Sequence, residues 1–172
     1  MKLVLIFISL VISTTILAQE STIGENFIRL VDPLDEPEFY CIDLAGWGER
    51  IQLNDPLQTH TCKNRNADDQ EFYLDESRIK ASQYEVCLQA VGSGNITLPG
   101  SSLIARPCSD SNVLQNIELN NSGQIKLKDT KLCISAGTVS AAANGPSHVW
   151  RTLTFVDCDI ADPSLSTWQL GL

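Results

Sequence analysis

Six cysteines mark the chain at a nearly constant interval. Cys41 to Cys87 and Cys87 to Cys133 are each 46 residues apart, Cys62 to Cys108 is again 46, and Cys108 to Cys158 is 50. A period of this length signals copies of one small unit that cannot bury its apolar face alone, so neighbouring copies must share a core. Local motifs keep the same period. Cys41-Ile42-Asp43, Cys87-Leu88-Gln89 and Cys133-Ile134-Ser135 open the odd intervals. Gln70-Glu71-Phe72 follows Cys62, Gln115-Asn116-Ile117 follows Cys108, and Ser166-Thr167-Trp168 follows Cys158. Ile79-Lys80-Ala81 and Ile125-Lys126-Leu127 each start eight residues before an odd cysteine. Ile28-Arg29-Leu30 is the first-unit counterpart, displaced by an insertion, Val31 to Glu38.

Each unit reads as short strands separated by turns. The stretch from Ile125 alternates apolar and polar, breaks at Asp129-Thr130 and resumes, the period of a half-buried strand. Glycine- and asparagine-rich stretches such as Asn120 to Gly123 and Val91 to Asn95 are turn compositions. No segment carries a helical period, and Pro107 would break one in its stretch. Three units are fewer than the four blades at which propellers usually begin. The expectation is an all-β trefoil of three pseudo-symmetric repeats of about 46 residues, roughly 27–73, 74–119 and 120–170, in one domain over 19–172. Phe72, Ile117 and Trp168 would then meet near the pseudo-threefold axis.

The ends and the charge bound the setting. Met1-Lys2, a short apolar run from Leu3 to Leu17 broken by hydroxyl residues, and Ala18 read as a secretory signal peptide over 1–18. The run is short for a span of about 20 apolar residues, so no membrane insertion is expected. Removing it leaves 154 of the 172 residues and, with Lys2 gone, moves the net charge from −9 to −10. Such a chain is a poor ligand for nucleic acid, whose affinity rests on cations that neutralise phosphates. An even number of cysteines in a secreted, extracellular chain points to disulfides, and no CxxC pair with a nearby histidine suggests a metal site. The fifteen possible connectivities stay open at this level. Asn95-Ile96-Thr97 and Asn120-Asn121-Ser122 are N-glycosylation sequons, at Asn95 and Asn120.

The Cys-aliphatic-Asp opening, the second cysteine of each unit and the Gln-x-aromatic triplet together resemble the ricin B-type (R-type) β-trefoil lectin family, over about residues 27 to 170. The resemblance implies bridges within each unit, Cys41–Cys62, Cys87–Cys108 and Cys133–Cys158. It also implies a carbohydrate-binding protein whose partners are glycans or glycoproteins, of galactose type by family analogy, with no cofactor. Carried onto the first unit, its sugar site falls on Asp43, Gln58, His60, Asp69 and Gln70. His60 stands where a larger ring is usual, and Asp69 where asparagine is usual; an ionised carboxylate accepts hydrogen bonds but donates none. Trp47, in a loop beside Asp43, either covers a sugar or plugs the end of the barrel. The second unit has Gln89, Ile104, Arg106 and Leu114 at the corresponding places. The third has Ser135, Thr154, Val156, Leu165 and Ser166. Both are expected to be scaffold.

Competing uses of the same residues are simpler. Asp43 would serve to hold a turn, and Gln70, repeated as Gln115, to tie strand ends. Asp32, Asp35, Glu36 and Glu38 lack the spacing of a calcium loop and read as an ordinary loop. His148 reads as a solvent-facing loop residue. No HExxH, GxSxG or phosphate-loop signature appears, so an enzyme is not expected. The alternative to a lectin is a secreted trefoil that has lost sugar binding and acts as a protein-binding or structural factor.

Overall fold

The computed structural model describes residues 26–145 and 147–171; the expected signal peptide lies outside them. The first repeat holds β1 (Ile28–Leu30), β2 (Tyr40–Asp43), β3 (Gln58–Thr61) and β4 (Phe72–Asp75). The second holds β5 (Arg78–Ala81), β6 (Val86–Ala90), β7 (Leu103–Pro107) and β8 (Ile117–Leu119). The third holds β9 (Ile125–Leu127), β10 (Leu132–Ala136), the short β11 (Ala141–Ala142), β12 (Val149–Asp157) and β13 (Trp168–Leu170). One helical turn, α1 (Pro163–Ser166), precedes β13.

The pairing follows one rule three times. Within a repeat the first long strand pairs antiparallel with the second and the second with the third. The last strand of each repeat pairs with the first of the next: β4 with β5, β8 with β9, and β13 back onto β1. The first repeat thus closes on the third, which fulfils the trefoil expectation. Strand β4 spans the rough boundary expected between the first two repeats and runs on to Asp75. The third strands of the three repeats also meet: β3 pairs with β12 at Trp150↔His60 and Thr152↔Gln58, with bridges Pro56↔Ile104 and Ser102↔Thr154.

Phe72, Ile117 and Trp168 are all buried in one core. The aromatic of the recurring triplet is therefore packing, repeated because the architecture is. The glutamine of the triplet has its own repeated task. Gln70 Oε1 accepts from the Lys63 amide at 2.8 Å and its Nε2 donates to the Thr61 carbonyl at 3.1 Å. Gln115 repeats this with the Ser109 amide at 2.8 Å and the Pro107 carbonyl at 3.0 Å. Each amide satisfies backbone groups that flank a cysteine and would otherwise be buried without partners. The bridges are Cys41–Cys62, Cys87–Cys108 and Cys133–Cys158, and no described cysteine is free.

The insertion before β2 differs from an ordinary loop. Arg151 on β12, 6% exposed, donates to Asp35 Oδ1 at 2.5 Å and lies over the Tyr40 ring at 5.0 Å. Tyr40 and Ser140 hydroxyls also donate to Asp35, and these donors hold its carboxyl far below the ordinary range. Buried Glu36 accepts from the Thr61 hydroxyl at 2.9 Å. The insertion therefore straps the first repeat to the third. Asn95 sits on an exposed turn. Asn120 is half-buried, its Oδ1 accepting from the Ser122 and Gln124 amides. Among the described residues no helix is long and apolar enough to cross a membrane.

Candidate functional site

A cleft of about 700 Å³ opens where the first repeat meets the third. Its first-repeat wall carries Asp43, Gln58, His60 and Lys63, with Trp47 at its edge; its third-repeat wall carries Asn144, His148 and Trp150. Strand register explains the grouping. Residues directly opposite on paired strands share a face. Asp43 lies opposite Gln58, and His60 lies between Cys41 on β2 and Trp150 on β12.

The loop that carries Trp47 turns back through Gly46, whose φ of +86° suits glycine; a Cβ there would lie 2.2 Å from the Arg50 carbonyl oxygen. Trp47 is 58% exposed, so its indole stands at the mouth of the cleft and does not plug the barrel. His60 is buried to 8% exposure. Its Nδ1 donates to the Thr61 carbonyl at 3.0 Å, which leaves Nε2 as an acceptor. Burial lowers its basicity, keeping the ring neutral at pH 7. His148 packs edge-on against it, with ring centroids 5.3 Å apart. His148 is thus half-buried in the cleft rather than in a solvent-facing loop, because β3 and β12 pair and bring its segment over the first repeat.

The floor is a polar knot. Asp43 is 1% exposed. Its Oδ1 accepts from Gln58 Nε2 at 2.9 Å; its Oδ2 accepts from Gln70 Nε2 and Lys63 Nζ, each at 3.0 Å. Lys63 Nζ also donates to Asp69 Oδ2. Asp69 and Gln70 are buried beneath Asp43 and do not line the cleft. They are the two members of the expected set that the fold places behind the site. Asp69 Oδ1 is buried with no hydrogen-bond partner.

Burial first, and the Asp43 charge second, push the Asp69 carboxyl up to about 6. Burial likewise raises Asp43 against the pull of Lys63. For Lys63, burial favours the neutral amine, but the two carboxylates outweigh it and the net shift is upward. The stability consequence has a definite sign. The native state keeps the Asp69 proton between its ordinary value of 3.8 and about 6. Its contribution is therefore complete below about pH 4 and is lost as pH rises through about 6. The melting temperature of wild type minus that of Asp69→Asn is expected to grow as pH falls from about 7 to about 4; a flat or shrinking difference contradicts this.

The corresponding places in the other repeats are filled. Gln89 Oε1 accepts from Asn112 Nδ2 at 2.7 Å and Gln115 Nε2 at 3.1 Å. Arg106 folds back onto the Ala105 carbonyl at 2.7 Å. Ser135 donates to the Ala136 carbonyl at 3.1 Å, while Leu114 and Leu165 are core.

Three groups at the site escaped the sequence reading: Lys63, Trp150 and the role of His148. One signal pointed to the last two. The third bridge spans 25 residues and the others 21, and this surplus lies in the stretch that supplies the cleft's second wall.

A sequence profile described as the ricin-type beta-trefoil lectin domain matches residues 35–154. The chain belongs to this family. Solved structures similar to this ricin-type domain share its fold at low identity. A cytolethal distending toxin from Actinobacillus actinomycetemcomitans is 19% identical, with a TM-score of 0.58, covering 88% of this chain and 94% of its own. The C-terminal domain of an earthworm lectin, a mutant solved with 6'-sialyllactose, is 11% identical, with a TM-score of 0.53, covering 85% and 98%. An mdaA-1 domain is 13% identical, with a TM-score of 0.61, covering 94% and 98%. No curated protein sequence matches this ricin-type chain significantly.

Proposed function

We propose that the protein is a secreted glycan-binding protein with one ligand cleft, between its first and third repeats. A glycan offers two kinds of surface, hydroxyls and an apolar C–H face. The cleft offers counterparts to both: Gln58, Asn144 and the His60 acceptor for hydroxyls, and the Trp150 indole for the C–H face. The carrying observation is the pairing of Trp150 with His60, which places a full-sized aromatic residue of the third repeat opposite the smaller one of the first, both lining the cleft. Galactose-type sugars are the preferred class by family analogy. Action by binding rather than by catalysis fits Asp43 and Asp69. Their carboxylates are tied through one lysine, whereas a glycosidase pair flanks its substrate. The three bridges suit an oxidising, extracellular setting.

A glycan array followed by titration calorimetry tests this reading. Burying one large ring face is worth about 1.5–3 kcal/mol, so Trp150→Ala is expected to weaken binding at least tenfold. Unchanged affinity would remove the ring from the site. Asp43→Ala is the poorer control, because it also strips partners from Gln58, Gln70 and Lys63. A second reading, a trefoil without sugar binding that serves as a protein ligand or structural factor, is favoured by one observation: Lys63 already occupies Asp43. Absence of any array signal at millimolar sugar would support it.

A further inference from the structure

Asp43, on the polar floor of the cleft, has its donors in place without a ligand. Both oxygens of Asp43 are engaged, and the residue is 1% exposed. The donors differ in kind. Gln58 and Gln70 are neutral amides, and Gln70 is locked beneath Asp43 by the bonds that flank Cys62. Lys63 sits on the cleft side, and its side chain is 14% exposed. Its ammonium reaches Asp43 Oδ2 at 3.0 Å, and both residues line the cleft. It is tethered by the residue directly after Cys62, so its local concentration is far above that of any free sugar.

We infer that Lys63 is an internal competitor for the ligand: its ammonium takes the hydroxyl-accepting face of Asp43, and its withdrawal converts a weak cleft into a full sugar site. This rests on the glycan-binding reading above. The cleft as folded holds a sugar through Trp150, His60, Gln58 and Asn144, without Asp43. Asp43 joins only when the ammonium leaves. A charged ammonium is a stronger donor to a carboxylate than a neutral hydroxyl, so a neutral sugar displaces it poorly. A ligand carrying its own primary amine competes on equal chemical terms. Lys63 is therefore the residue that sets ligand preference, and Asp69 is the positioning residue that holds it in place.

The test compares wild type with Lys63→Ala, and with Lys63→Ala/Asp69→Asn. The double variant removes one carboxylate together with the cation, so the buried site does not carry an excess negative charge if the single variant folds poorly. Circular dichroism confirms the fold, and a galactose-terminated oligosaccharide is titrated by calorimetry alongside a full glycan array. The expected result is binding at least tenfold tighter in whichever variant is folded, with the gain erased by adding Asp43→Asn. Equal or weaker binding than a wild type that itself binds would overturn the competitor role and leave the glycan reading intact. No array signal from either wild type or the folded variants would overturn the glycan reading and this inference together.

Discussion

Trp168→Ala is expected to lower stability by about 3–5 kcal/mol, the range for deleting a large ring from a packed core. Trp168 is 1% exposed, and its Nε1 donates to the Ile134 carbonyl at 3.1 Å. Three losses therefore coincide. Apolar area returns to water in the unfolded comparison, a cavity opens near the axis, and a buried carbonyl on β10 loses its donor. Trp168 is also the first residue of β13, the strand that closes the barrel on β1 through Leu30. Its removal weakens closure as well as filling. Urea unfolding monitored by far-ultraviolet circular dichroism measures this. A loss below about 1 kcal/mol would mean that the closing strand does not depend on its ring.

Removing the first bridge, by Cys41→Ser/Cys62→Ser, is expected to cost about 3 kcal/mol in the chain-entropy account for a loop of this size. The spacing of 21 residues is shared with the second bridge, so a similar stability loss follows from Cys87→Ser/Cys108→Ser. Function separates the two. Cys41 lies two residues before Asp43, and Cys62 directly precedes Lys63, so the first bridge anchors both sides of the polar floor. The second anchors Gln89 and Ser109, which face no ligand in the proposed reading. Loss of the first bridge should therefore reduce glycan affinity under conditions where the protein is still folded, and loss of the second should not. Calorimetry well below each variant's melting temperature distinguishes these outcomes. Equal affinity in both variants would detach the first bridge from the site.

The architecture was legible because its signals are local and repeated. Cysteine spacing, the Gln-x-aromatic triplet and the eight-residue lead of the first strands each state the same period. Phe72, Ile117 and Trp168 are buried as that period required. The recurrence of Gln70 as Gln115 likewise revealed a structural amide, since the hydrogen bonds repeat with the spacing. The site was legible only in part. Asp43, Gln58 and His60 belong to one hairpin, and their grouping follows from β2 and β3 alone. Trp150 and His148 arrive through the β3–β12 pairing, which no spacing inside one repeat encodes. Lys63 belongs to none of the repeated motifs. Its burial between two carboxylates depends on Asp69 being acidic, a departure noticed in the sequence without its consequence. Asp35 shows the same limit: its loop composition says turn, while its partner Arg151 lies more than a hundred positions away.

The division of the cleft between Glu38–Asn66 and Ala142–Trp150 carries a consequence for how competence is acquired. One wall is made early in the chain, but the opposing wall takes its place only once β12 has docked against β3. Closing contacts of such sequence separation costs loop entropy and slows folding. In the proposed glycan-binding reading, ligand recognition therefore reports that the third repeat has docked on the first. In that reading a bound ligand clasps the first and third repeats together, slowing any breathing motion that parts them.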